Sequence, residues 1–69
     1  MARTKPRYPN IRVQLAGQDG NAFSIIGRTR VALRRGGASP DAIEKFVEEA
    51  MSGDYNHLLQ TVMRWVEVE

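Results

Sequence analysis

The chain has 69 residues, a net charge of only +2 and no cysteine, which excludes disulfides, thiolate nucleophiles and cysteine-ligated metals. Its length supports one domain with one modest core, since a chain of this size buries roughly 60% of the surface exposed on unfolding. No stretch approaches the ~20 apolar residues of a membrane span, and the cationic start lacks the apolar run of a secretory signal, so a cytoplasmic location is expected.

Residues 1–10 read as a flexible basic arm, with Arg3, Lys5, Arg7 and two prolines around a single large apolar group, Tyr8. Proline fixes φ and disfavours helix in the residue before it. A single domain is expected over 11–69. From Ile11 the pattern alternates, with Ile11, Val13 and Leu15 on one side and Arg12, Gln14 and Ala16 on the other. A period of two marks a half-buried strand. Gly17-Gln18-Asp19-Gly20-Asn21 breaks it with turn residues.

Asn21 can cap a first helix from about Ala22 to Arg35, whose apolar face holds Ala22, Ile25, Ile26, Thr29, Ala32 and Leu33, with Phe23 at its edge. Arg28 and Arg35 fall on the opposite face, and Arg30 and Arg34 form a ridge along its margin. Gly27 inside this helix costs about 1 kcal/mol relative to alanine. Gly36-Gly37 ends the helix, and Ser39-Pro40-Asp41 starts a second one with the stripe Ile43, Phe46, Val47 and Ala50. After Ser52-Gly53, Asp54 can cap a third helix with the stripe Tyr55, Leu58, Leu59 and Val62. From Trp65 the residues alternate again, Val66 and Val68 opposing Glu67 and Glu69, which predicts a terminal strand.

The predicted fold is α+β, in the order β-α-α-α-β, with three helices packed on a small two-stranded sheet. Three helices that alternate in direction bring the last strand back parallel to the first. Both outer edges of such a pair stay open, so sheet extension across a homodimer is expected.

Charge is uneven along the chain. Arg3, Lys5, Arg7, Arg12, Arg28, Arg30, Arg34 and Arg35 face only Asp19 in residues 1–35, whereas residues 36–69 hold Lys45 and Arg64 against seven acids. The basic half suggests an anionic partner, or attraction to the acidic half of the chain. Phosphate contacts by Arg3, Lys5, Arg7, Arg28, Arg30, Arg34 and Arg35, with Tyr8 stacking on a base, define a nucleic-acid reading. Against it stands the acidic second helix, where a helix-turn-helix reader presents cations. Arginines on a solvated helix face, some paired with that acidic helix, are the simpler explanation.

His57, the only histidine, lies beside Asp54 and Tyr55, a set open to acid–base chemistry but more simply read as helix capping and packing. A lone histidine is a poor metal site, and neither a metal nor a cofactor is expected. Gly17 to Asn21 lacks both the dinucleotide fingerprint and the P-loop lysine. Trp65 is a candidate interface anchor, because its side chain alternates away from Val66 and Val68.

At Val13 to Arg28, V-Q-L-A-G-Q-D-G-N-A-F-S-I-I-G-R, and at Ser52 to Thr61, S-G-D-Y-N-H-L-L-Q-T, the chain resembles a group of small bacterial and phage-encoded proteins. The likeness spans roughly residues 11–69 and carries no catalytic or binding residue, since no activity is assigned to that group. It implies a phage or mobile-element origin and a fold in which the D-G-N-A-F and G-D-Y-N-H segments pack near each other. The expected function is a non-enzymatic protein-interaction module, dimeric, with a protein partner. Weak nucleic-acid binding through the arm and the arginine face of the first helix is the alternative.

Overall fold

The computed structural model describes residues 5–15 and 20–69. Its elements follow the order read from the sequence: β1 (Tyr8–Val13), α1 (Ala22–Arg35), α2 (Pro40–Ala50), α3 (Tyr55–Trp65) and β2 (Val66–Val68). The fold is α+β, three helices with a two-stranded sheet. Each helix starts on a polar side chain. Asn21 Oδ1 accepts from the Phe23 amide at 2.8 Å, Ser39 Oγ from Ala42 at 3.1 Å and Asp54 Oδ1 from His57 at 2.9 Å. Such caps satisfy amides that a helix start leaves without partners, each contributing about 1 kcal/mol. At the end of α1 the amides of Gly37 and Ala38 bond the carbonyls of Arg34 and Leu33, and Gly37 takes φ +92°. That closure needs a left-handed residue, which glycine adopts without steric penalty.

β1 and β2 pair in parallel, as the odd number of intervening helices requires. The Glu69 amide donates to the Val13 carbonyl at 2.9 Å and the Leu15 amide to the Glu69 carbonyl at 3.0 Å. β1 begins at Tyr8, three residues ahead of the alternation that starts at Ile11. The register is irregular between Tyr8 and Arg12, which conceals this stretch from a period-two reading. Pro6 is buried, and the Arg7 amide donates to the Arg64 carbonyl at 2.8 Å. Part of the segment read as an arm therefore lies against the end of α3.

Trp65 corrects a second expectation. It is the last residue of α3 and not the first of the strand, and it completes the buried series Leu58, Val62, Trp65 at helical spacing. Only 4% of it is exposed, so it is a core residue and not a surface anchor. Tyr8 stacks on it with centroids 6.0 Å apart, Phe46 meets it edge-on at 5.6 Å, and the Arg7 guanidinium lies 4.5 Å over the ring. Its Nε1 donates to Glu49 Oε1 at 3.5 Å. Around it, Leu33, Phe46, Val62 and Val66 are fully buried. The buried threonines satisfy themselves within their helices, Thr29 Oγ1 donating to the Ile25 carbonyl and Thr61 Oγ1 to that of His57, each at 2.8 Å.

Replacing a buried tryptophan by alanine costs roughly 3–5 kcal/mol, as much as a core of this size supplies in total. Trp65→Ala is expected to lose its helical circular dichroism signal at 25 °C. A variant that keeps that signal and unfolds at the wild-type urea concentration contradicts the assignment of Trp65 as the packing centre.

Candidate interaction surface

One side of α1 builds the core through Ile25, Ile26, Thr29 and Leu33. The other side is not a plain charged face. Phe23, Gly27 and Val31 follow one another at intervals of four, hence along one line of the helix. Phe23 is 75% exposed and Val31 50%. Arg30 and Arg34 flank this line on one side, Arg28 and Arg35 on the other. Two grooves open beside it, and Gly27 and Val31 line both. The first lies between α1 and β1 and takes Arg12, Arg28 and Arg35 into its walls. The second lies between α1 and α2 and takes Arg30, Arg34 and Glu44.

None of Arg12, Arg28, Arg30, Arg34 and Arg35 forms an ion pair among the described residues. The expected pairing of these arginines with acidic α2 is therefore not made. The acid of α2 that does pair is Glu49, with Arg64 at 3.5 Å between exposed side chains. Gly27 has no internal steric reason either, since a Cβ built there meets nothing within 4 Å. A mid-helix glycine that costs about 1 kcal/mol and relieves no internal contact leaves a shallow gap between two exposed apolar side chains.

The residues of the nucleic-acid reading do not form one surface. Arg28, Arg30, Arg34 and Arg35 share the outer half of α1, whereas Arg7 and Tyr8 are engaged with Trp65 at the far end of the sheet. Tyr8 is half-buried, with Trp65 stacked against its ring. Lys5 is exposed, and Arg3 lies outside the described residues, as does most of the Gly17–Asn21 loop. Arg12 joins the basic surface through β1, a placement hidden in the sequence because nothing there aligns a strand with a helix face.

His57 belongs to a separate cluster at the joint of α2 and α3. Its Nε2 lies 2.8 Å from the Glu49 carbonyl and 3.0 Å from Ser52 Oγ. A carbonyl only accepts, so Nε2 carries the proton and donates. Ser52 Oγ donates to the same carbonyl at 2.7 Å. A base that activates serine needs a bare nitrogen facing the hydroxyl. Here the facing nitrogen is a donor, and the pair caps the end of α2. Nearby, the Tyr55 hydroxyl donates to the Gly20 carbonyl at 2.6 Å, so the D-G-N-A-F and G-D-Y-N-H segments do meet. Tyr55 itself is 47% exposed, which makes it a tie between segments more than the core residue expected. Among the described residues no group of histidine and acidic side chains could hold a metal ion, and no helix is long and apolar enough to cross a membrane.

A Cβ at Gly53 falls 2.7 Å from His57 Cγ and 2.8 Å from its Cβ, contacts close to the backbone that cannot swing away. Gly53→Ala is expected to destabilise by about 1–3 kcal/mol in urea unfolding. Adding His57→Ala should recover part of that loss, as coupled neighbours do. Additive losses in the double variant contradict the joint.

Comparisons of the chain with protein-family models, with curated proteins and with solved structures returned no match.

Proposed function

We propose that the protein is a non-enzymatic protein-interaction module that binds an acidic protein partner through the outer half of α1. The observation that carries this reading is the line from Phe23 through Gly27 to Val31, apolar with both ends exposed, set among four arginines that form no ion pair among the described residues. Apolar contacts framed by charge are the make-up of a protein docking site, where the centre supplies affinity and the rim supplies orientation and association rate. Such a module works in the cytoplasm, and the resemblance to small phage-encoded proteins supports a partner supplied by a host or a phage. A homodimer formed by sheet extension uses the outer edge of β2, since pairing two β1 edges brings two cationic surfaces together.

Nucleic acid is the competing ligand for the same arginines. With Tyr8 stacked on Trp65, Phe23 is the exposed aromatic set among these arginines for an unpaired base to stack on.

Photo-crosslinkers placed at residues 23 and 31, with residue 60 as an exposed control, test the reading alongside titration with labelled DNA and RNA. The expected result is crosslinking to an acidic protein from 23 and 31 only, lost on Arg30→Glu with Arg34→Glu. Nucleic acids are expected to show no binding at physiological salt. Micromolar DNA or RNA binding there, weakened steeply by added salt and by Arg28→Ala with Arg35→Ala, replaces the protein partner with nucleic acid.

A further inference from the structure

Successive residues of a strand turn their backbone groups to opposite edges. The Val13 carbonyl and the Leu15 amide both bond Glu69, so Arg12 turns its own N–H and C=O to the edge away from β2. Among the described residues no strand pairs with that edge. The groove between β1 and α1 runs beside it. Among the described residues its walls hold Arg12, Arg28 and Arg35 and no acidic side chain. Arg28, which lines this groove, holds its Nη1 buried and without a hydrogen-bond partner among the described residues. A guanidinium stays charged, and a buried N–H without an acceptor is left with its desolvation uncompensated.

Taking the protein-interaction reading as its basis, we propose that this groove receives an extended acidic segment of the partner. The segment adds to the outer edge of β1 as a strand, and one of its carboxylates sits on Arg28. Its main chain bonds the Arg12 N–H and C=O, which gives affinity independent of sequence. A carboxylate meets the accessible part of the Arg28 guanidinium in the strong charge-assisted form. A side chain pointing toward α1 fits against Val31 over the gap at Gly27.

A single arginine on an edge strand is the usual guard against aggregation. A guard needs neither a groove beside it nor two more arginines in the same walls. Nucleic acid brings phosphates for those arginines but no main chain to match the strand edge, and no aromatic side chain lines the groove. A second copy adding through the same edge brings two sets of Arg12, Arg28 and Arg35 together, so the occupant is a different chain.

The test pans a displayed library of random peptides against the wild-type chain. Enriched peptides are expected to carry aspartate or glutamate among β-branched residues and to slow hydrogen exchange at the Arg12 amide. They should lose binding when alternate peptide amides are N-methylated, and bind Arg28→Met roughly thirtyfold more weakly. If Arg28→Met fails to fold, Arg12→Glu at an exposed position serves in its place. Peptides that need Phe23 but are indifferent to these changes, and leave the Arg12 amide exchanging freely, overturn strand addition while the wider protein-interaction reading stands. A library that enriches no sequence also overturns it, and the crosslinking experiment then judges the wider reading alone. Displacement of the peptides by RNA at physiological salt overturns both.

Discussion

The structure depends on holding the two ends of the chain together, and Trp65 is where they are held. β1 and β2 are separated by three helices, so their pairing closes a long loop before it yields a hydrogen bond. A two-stranded sheet is marginal by itself. Trp65 turns α3 into β2 and carries Tyr8 and Arg7 from the start of the chain on its ring, with Phe46 of α2 against its edge. One side chain thus ties three elements that are remote in sequence. The remaining core, Leu33, Val62 and Val66 above all, fills the space this closure encloses.

What was legible in the sequence was local. Asn21, Ser39 and Asp54 announced the helix starts because capping depends on the next two or three amides alone, and Gly37 announced a stop for the same reason. Parallel strand direction followed from counting helices. What was not legible depended on distant partners. Tyr8 enters the sheet through an irregular register that no alternation reports, and Trp65 sits where helical and strand periods overlap. The alternating valines after it assign it to the strand, whereas it ends α3 and is buried against Phe46 and Tyr8. Tyr55 reads as core from its spacing, yet its hydroxyl reaches across to Gly20.

The candidate surface divides in the same way. The arginines of α1 and their helical faces could be read directly. That they form no ion pair with α2 could not, because such pairing depends on how the two helices cross. The convergence of Arg12 with Arg28 and Arg35 needs the strand laid beside the helix. Local rules are broken together here: an exposed phenylalanine, a mid-helix glycine without an internal reason, a guanidinium nitrogen buried without an acceptor and a bare strand edge. Conflicts of this kind gather at sites where a fold meets something outside itself. The joint at His57 is the contrast, with Ser52 Oγ, His57 Nε2 and the Glu49 carbonyl bonded to one another.

The central claim is that the outer half of α1 is kept open for a partner at the helix's own expense, and Gly27 is where that expense is measured. The urea unfolding free energy of Gly27→Ala tests it with one substitution. If no internal contact requires the glycine, alanine raises stability by about 0.5–1 kcal/mol through helix propensity. A fall in stability means that Gly27 serves the packing of the fold itself, and contradicts the claim.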